Sequence, residues 1–575
     1  MLNIEINGIT FPANDGETVL ECSRRNGFRI PTLCHMEGLT PSGACRICVV
    51  EVEGSPTLVP SCAFPVREGL KVKTNSSRVL LARKSILELI IANHNSDCLN
   101  CVRNGNCELQ SLSEEYGIRE RRYKGEVRAP AVDITPSLEK HDDKCILCGR
   151  CVRTCNEIQK IGAISYSKRG FYTKVAPAFD EGINISTCIN CGQCITVCPV
   201  GALRERSNVK KVDSALNNPD LLTVVQFAPS IRVTIGEEFG LEPGTDVRKK
   251  LTTALKLVGF DRVFDTNFGA DLTIVEEANE FIERFTKKSD KPLPMFTSCC
   301  PGWVKHAEIK YPEILEHLST CKSPQQMTGA VIKSYYAQKY NIDPSKIFVV
   351  AIMPCTAKKF EYHRPELGSD QLSDVDAVLT TREAARIIKM GGYDLALLPE
   401  SEEDSPFTES TGSADIFGST GGVMEAALRT AYFNITGKIM PRLEIYGVRG
   451  NKNVKVVEID IDGTVIKVAV VNGIGNIDPI IRDIKEGKSP YAFVEVMACP
   501  GGCVAGGGQP IPRVEDKIRQ RQQGVYNIDR SKRLRLSHDN PAIQVLYSEY
   551  LEKPGSHKAH DILHTDYHPR NLQEG

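Results

Sequence analysis

The chain has 575 residues, with 71 Lys and Arg against 72 Asp and Glu and a net charge of −1. That length suggests about four domains at roughly 150 residues each, and the near-neutral balance implies no polyelectrolyte partner and argues against nucleic acid. No apolar run of about 18 residues predicts membrane insertion, and the N-terminus MLNIEINGIT lacks the basic and apolar regions of a secretory signal. The 22 cysteines are therefore expected in a reducing, cytoplasmic setting, where thiols bind metal rather than form disulfides.

Residues 1–75 alternate in strand fashion (LNIEI, TFPA, CVVEVEG, LKVKT), with one helix near Thr18–Asn26 and turns at NG, NDG and EG. Within this β-rich stretch stands Cys34-x10-Cys45-x2-Cys48-x13-Cys62. Four thiolates from a loop and a later strand suit a [2Fe–2S] cluster, although the first gap exceeds the plant-type spacing. Residues 78–118 read as helical around His94-x3-Cys98-x2-Cys101-x5-Cys107. Three thiolates and an imidazole suit zinc or a [4Fe–4S] cluster, and the neighbouring iron–sulfur patterns favour the cluster. Residues 119–136, charged and proline-containing, read as a linker.

Residues 140–205 hold an internal repeat. Cys145-x2-Cys148-x2-Cys151-x3-Cys155 recurs as Cys188-x2-Cys191-x2-Cys194-x3-Cys198-Pro199. In such two-cluster ferredoxin runs the fourth cysteine of each copy ligates the other cluster. Cys145, Cys148, Cys151 and Cys198 are thus expected on one [4Fe–4S] cluster, and Cys188, Cys191, Cys194 and Cys155 on the second. Zinc knuckles would explain neither the tripled short spacing nor the Cys-Pro ending. By spacing, this N-terminal third resembles the iron–sulfur module of the large peripheral subunit of respiratory complex I. The same module occurs in some formate dehydrogenases and in iron-only hydrogenases, so an electron-relay subunit is one reading.

From about Asn208, strand-like runs (LLTVVQF, RVFDTNF, KIFVVAIM, VIKVAVVNG, AFVEVMA) alternate with helical segments, which predicts a mostly parallel α/β sheet. The cysteines at 299–300, 355 and 499–503 each follow such a run or a short extended segment. Ligands collect beyond the carboxyl ends of strands in open α/β sheets, so these remote motifs are expected to share one cleft. FTSCCPGW (296–303), IMPCTAKK (352–359) and EVMACPGGCVAGGGQP (495–510) resemble the three signature motifs of [FeFe]-hydrogenases. With the N-terminal module, the resemblance covers essentially the whole chain.

That resemblance implies an H-cluster: a [4Fe–4S] cubane on Cys300, Cys355, Cys499 and Cys503, with Cys503 bridging to a di-iron subsite bearing CO, CN⁻ and a bridging dithiolate. It implies a proton path from Cys299 through Glu277, Ser319, Glu280 and Arg284 toward solvent. It also implies that Lys358, Gln325, Ser230 and the Ala228-Pro229 loop face the diatomic ligands, with Ser323 and Pro324 in the same pocket. Met353 and Met497 would be soft neighbours, and Phe417 would pack the distal side. The implied reaction is 2H⁺ + 2e⁻ ⇌ H2, with the di-iron unit supplied by maturation proteins.

The residues fit that chemistry on their own terms. Adjacent Cys299 and Cys300 do not both suit one compact cluster, and an unperturbed thiol, at a pKa of about 8.5, exchanges protons near neutrality. Glu277, Glu280 and Arg284 share a helical face in EEANEFIER; without the resemblance this would read as a solvated helix. Glycines at 501, 502 and 506–508 permit close backbone approach to a bulky cofactor. Cys22 and Cys321 remain over and read as small buried hydrophobes, with an oxidation-sensitive thiol the alternative for Cys321. His557, His560, His564 and His568 read as a helical, partly exposed docking tail rather than a metal site. The same region resembles a segment that elsewhere forms a separate small subunit.

No G-x-G-x-x-G follows a strand, and NGIGNID at 472–478 fails at the last glycine, so flavin and NAD are expected elsewhere. Electrons are expected from ferredoxin, or from flavin- and NAD(P)-binding iron–sulfur partner subunits, including electron-bifurcating assemblies. An H2 sensor would not need the Cys299 path, and a relay or assembly protein would not need the complete motif set. The expected fold class is multidomain α/β with α+β parts. It comprises a β-grasp-like [2Fe–2S] domain (1–77), a small helical His/Cys3 cluster domain (78–125) and a two-[4Fe–4S] ferredoxin domain (137–208). A large catalytic domain with parallel sheets flanking the H-cluster (209–510) and a C-terminal small-subunit-like segment (511–575) complete it.

Overall fold

Asn7 and Gly8, at φ 52° and 87°, form the two-residue turn that joins Leu2–Ile6 to Ile9–Ala13 in antiparallel register; both positions need the left-handed region that Asn and Gly tolerate. The computed structural model describes residues 2–368 and 372–572, so the outermost ends of the first and last expected domains lie outside it. The hairpin belongs to a five-stranded mixed sheet in the order Ile9–Ala13, Leu2–Ile6, Leu70–Lys73, Val49–Val52, Val59–Pro60. The helix Val19–Arg25 starts at a Thr18–Glu21 capping box, and its Val19 and Leu20 pack with Ile4, Ile6, Val50 and Val72 in one core. Cys22 is buried in that core as expected.

Ser76 caps the helix Ser77–Ala92, and the cysteine loop then runs to the helix Glu108–Glu115. The expected linker at 119–136 differs from the structure in its last residues. Val132–Ile134 pairs antiparallel with Leu138–His141, which pairs with Leu203–Glu205. Asp133 explains the difference: its carboxylate accepts the Ile183 amide at 3.1 and 3.0 Å and ties this strand to the ferredoxin-like unit. The internal repeat is conformational as well as sequential. Gly149 and Gly192 stand at equivalent points of the two cysteine runs, and both adopt φ 70°, ψ 8°.

Two sheets build the large α/β region. The first, all parallel, has the order Arg262–Asp265, Leu222–Phe227, Ile347–Met353, Ala377–Thr380. The second has the order Met295–Phe296, Phe493–Met497, Thr464–Asn472, Val454–Ile461, parallel except for its last hairpin. Their continuous apolar runs are buried on both faces, as parallel strands require. The helix Asn267–Phe285 is wedged between the sheets: Phe268, Leu272 and Val275 join one core, Ala270, Ile274 and Phe281 the other.

The C-terminal segment is less exposed than a docking tail. Ile543, Leu546, Leu551, Ala559 and Leu563 enter the core of the first sheet, and Cys321 forms an isolated antiparallel bridge with His564. Among the described residues, no helix is long and apolar enough to cross a membrane.

Arg232 fixes the loop that leaves the first sheet. Its buried guanidinium donates to both oxygens of Asp265 at 2.7 Å and to Asp415 at 2.8 Å. Replacing Arg232 by Met leaves the buried Asp265 carboxylate without its cation, while Asp415 keeps Lys532 at 2.9 Å, and should cost about 3–5 kcal/mol, read as a lowered urea midpoint of the unloaded chain. An unchanged midpoint would refute the clamp.

Candidate active site and electron path

The N-terminal thiols are gathered. Cys34, Cys48 and Cys62 are buried, the Cys34 amide reaches Cys45 Sγ at 3.4 Å, and the Cys34 thiol lies within hydrogen-bonding reach of Cys45 and Cys62, as Cys48 does of Cys62. His94 follows the end of Ser77–Ala92 and is 9% exposed, with no partner on Nδ1. Burial pushes its imidazole down to about 4, so the ring is neutral with a free nitrogen, the form that ligates metal. Cys98 and Cys101 share a turn, and Cys107 precedes the next helix and feels the charge of Cys101. Cys101 Sγ sits against Gly201, where a Cβ would come within 2.5 Å, so this loop docks on the ferredoxin-like unit.

There the two runs cross over. Cys155 joins Cys188, Cys191 and Cys194 around one pocket, whereas Cys198 faces Cys145, Cys148 and Cys151. The pocket of Cys155, Cys188, Cys191 and Cys194 abuts the large α/β region. Gln159 Nε2 bridges Cys191 Sγ (3.3 Å) and the Ala498 carbonyl (3.1 Å). Gln193 donates to the Ala505 carbonyl at 3.0 Å, and Thr356 donates to Asn190 at 2.7 Å. A Cβ at Gly507 would fall 2.7 Å from Gly192 Cα and 2.3 Å from the Cys191 carbonyl.

On the far side of this joint, the carboxyl ends of four strands open onto one cavity. Leu222–Phe227 delivers Ala228, Pro229 and Ser230; Met295–Phe296 delivers Cys299 and Cys300; Ile347–Met353 ends at Met353 and delivers Cys355 and Lys358; Phe493–Met497 ends at Met497 and delivers Cys499 and Cys503. Pro324, Gln325 and Phe417 complete its wall, and Ser323 stands just behind, donating to Glu361 at 2.9 Å.

These residues fit a large iron–sulfur cofactor. Four soft thiols line the cavity alongside a fifth, Cys299. Gly502, at φ 86° and ψ −160°, takes a conformation open essentially to glycine alone, and a Cβ there would meet Thr420 N at 2.5 Å and Met497 Sδ at 3.1 Å. Gln325 Oε1, though buried, has no partner within the chain.

Lys358 bonds the Cys299 carbonyl at 3.1 Å and Glu361 at 2.9 Å. Burial opposes its charge, but Glu361 outweighs it and holds the ammonium above its ordinary range. Glu361 also accepts Gln325 Nε2 at 3.0 Å. It was missed in the sequence, although its i+3 spacing from Lys358 in AKKFE was the available signal. Gln509, which bonds Ser230 Oγ at 3.4 Å and the Cys503 carbonyl at 3.1 Å, was also missed.

The acidic face is wholly internal. Glu277 is buried with neither oxygen at hydrogen-bond distance from a partner, and Ser319 acts on it at longer range. Burial, then the charge of Glu280, pushes its carboxyl up to about 8. Burial, then the charge of Glu277, holds the Cys299 thiol well above its ordinary range, so it is a neutral donor rather than the near-neutral exchanger expected. Ser319 Oγ donates to Glu280 at 2.9 Å, and Arg284 Nη2 donates to the same carboxylate at 2.5 Å. Burial opposes the Glu280 charge, but Arg284 prevails and holds that carboxyl below its usual range. Arg284, expected at the solvent end, is only 2% exposed, because its guanidinium reaches inward to the carbonyls of Glu316, His317 and Leu318.

Against known proteins, residues 222–507 match the C-terminal domain of the iron only hydrogenase large subunit, and residues 515–570 match the iron hydrogenase small subunit. Residues 1–77 match a 2Fe-2S cluster binding domain, 83–122 the NADH-ubiquinone oxidoreductase-G iron–sulfur binding region, and 144–202 a 4Fe-4S dicluster domain. The chain is 46% identical to the NADP-reducing hydrogenase subunit HndD of Solidesulfovibrio fructosivorans over 99% of both chains. It is 41% identical to iron hydrogenase 1 of Clostridium pasteurianum, over 99% of this chain and 100% of that one. A solved [FeFe]-hydrogenase of Chlamydomonas reinhardtii superposes with a TM-score of 0.58 at 41% identity, covering 63% of this chain and 99% of that one. Motifs, cavity and full-length likeness coincide, and the chain belongs to the iron-only, or [FeFe]-, hydrogenases.

Proposed function

We propose that the protein interconverts 2H⁺ + 2e⁻ and H2 at an H-cluster held by Cys300, Cys355, Cys499 and Cys503. The observation that carries this reading is the meeting of five cysteines from three remote motifs in one cavity. When bound, the H-cluster, with CO and CN⁻ on its di-iron part, supplies low-potential electrons and an open iron site. The chain does the rest. Cys299 Sγ holds a proton at the cavity wall, and Glu277, protonated near neutral pH, reloads it. Ser319 and Glu280 pass protons inward during H2 formation and outward during uptake. Lys358, anchored by Glu361, would present a buried positive charge to anionic ligands of the bound cofactor, while Ser230 and Gln325 would offer it hydrogen bonds and Phe417 would exclude water. Met353 and Met497 are soft packing neighbours.

Electrons reach the cavity through the accessory sites. The mixed sheet with its gathered thiols supports a β-grasp-like [2Fe–2S] carrier at 1–77. The neutral His94 with Cys98, Cys101 and Cys107 supports a [4Fe–4S] site at 78–125, and the crossed cysteine runs support two more clusters at 137–208. The catalytic domain is then 209–510 and the small-subunit-like segment 511–575. Likeness to a subunit of an NADP-reducing hydrogenase supports partners that carry flavin and NAD(P), in a cytoplasmic complex, electron-bifurcating assemblies included, over ferredoxin alone.

Infrared spectroscopy of anaerobically matured protein tests the reading. Sharp bands of metal-bound CO and CN⁻ should shift under added CO; their absence from iron-replete, matured protein would sink the H-cluster. Cys299→Ser should keep those bands but lose turnover by about 10²–10⁴, the usual reach of acid–base catalysis, and normal H2 evolution would overturn the donor role. His94→Ala should change the electron-spin spectrum of one accessory cluster, with an unchanged spectrum counting against the imidazole ligand.

A further inference from the structure

Beyond Glu280, the proton line has no obvious carrier on its own helix. A carrier must gain and lose a proton, and a guanidinium stays protonated across the working range. Arg284 is moreover buried, with Nη1 and Nη2 committed to Glu280 and to backbone carbonyls.

The C-terminal segment brings a titratable group to this point. The Cys321–His564 bridge is flanked by Lys322 N to the Leu563 carbonyl and Thr565 N to the Thr320 carbonyl, both 2.8 Å. This pairing turns the His564 ring inward, 5% exposed. A ring nitrogen, a Glu280 oxygen and Cys321 Sγ then lie within 4.8 Å of one another, a gap that one bridging water spans. Nδ1 is 2.7 Å from Thr320 Oγ1, and the Thr320 amide donates to Glu280 at 3.0 Å. Nε2 is 3.3 Å from Glu276, whose carboxylate also accepts the Tyr547 hydroxyl and the Gly555 amide. One turn earlier, the exposed His560 stacks on His564 with ring centroids 4.0 Å apart.

The titratable and charged groups around the ring are therefore Glu276 and Glu280 from the wedged helix, Cys321 from the facing loop, and Tyr547 and His560 from the C-terminal segment. Lys291 acts on the same cluster from further off. A histidine with an oxygen partner on each nitrogen and a stacked, solvated neighbour is built to take a proton on one side and release it on the other.

We infer that His564 hands protons between solvent and Glu280, with His560 as its outer partner, so that the C-terminal segment is part of the proton line. The inference rests on the hydrogenase reading. In H2 formation, Nε2, on the Glu276 side, gains a proton that enters from solvent, and Nδ1, on the Thr320 side, releases one that the Thr320 hydroxyl or a bridging water carries to Glu280. Uptake reverses this, and no electron moves in the step. His564 acts through Glu280 and is in that sense a positioning and relay residue.

The test uses the matured holoenzyme carrying His564→Gln, which keeps a polar side chain but cannot titrate. H2 evolution should fall at least about tenfold, most steeply above the histidine range where protons are scarce, and added imidazole should restore part of the rate. A uniform loss at every pH without rescue marks a packing role and overturns the inference, as does a wild-type pH profile. Either result leaves the hydrogenase reading standing, because the wild type still turns over; a matured wild type without turnover sinks that reading instead. A second measurement needs no di-iron unit. With ¹³C-labelled histidine in the full unloaded chain, Glu280→Gln should shift the His564 ring signals, because the two side chains lie within 4.8 Å of one another. Unmoved signals would show that the two groups are not coupled, and would refute the relay.

Discussion

The molecule depends on two sheets pointing the carboxyl ends of their strands at one cavity, with the helix Asn267–Phe285 wedged between them. Cys300 and Cys503 are separated by some two hundred residues of chain and still line the same space. Closing such loops costs entropy that only extensive burial offsets. The burial is in place: the central strands Ile347–Met353 and Phe493–Met497 are buried on both faces, and the wedged helix contributes side chains to each core. That helix therefore has two duties. Its apolar stripes hold the sheets apart at the right spacing, and its third face carries Glu277, Glu280 and Arg284 through the interior.

Several buried ions in this core are paired, and Glu277, in the proton line, is not. Arg232 answers Asp265 and Asp415, Lys358 answers Glu361, and Arg284 answers Glu280. Glu277 has no cation and no close hydrogen-bond partner, and it resolves the conflict by keeping its proton. Unpaired burial is costly for stability, and a carboxyl poised near neutrality is what a proton relay needs.

Much of the site was legible because iron–sulfur ligands are written as short covalent spacings. The crossed assignment of Cys155 and Cys198 could be read from the repeat alone, and the runs ending at Met353 and Met497 could be placed by their β-branched composition. What escaped reading arises from tertiary contact. Glu361 and Gln509 orient cavity residues from positions without any motif. Val132–Ile134 looked like a linker because its pairing depends on Asp133 meeting Ile183, far along the chain. Arg284 looked solvent-facing because a helical face carries no mark of the loop that will cover it, and His564 looked like one of four surface histidines until its partner Cys321 was in view.

The joint between the ferredoxin-like unit and the cavity has glycine on both sides, Gly192 against Gly507, at a separation that leaves no room for a single methyl group. Two backbones in such contact, latched by Gln159, Gln193 and Thr356, cannot rock or slide without breaking buried hydrogen bonds. Electron arrival at the cavity is then a fixed-distance event rather than one that waits for a domain to swing. Whatever moves elsewhere in the molecule, this last connection behaves as a soldered one.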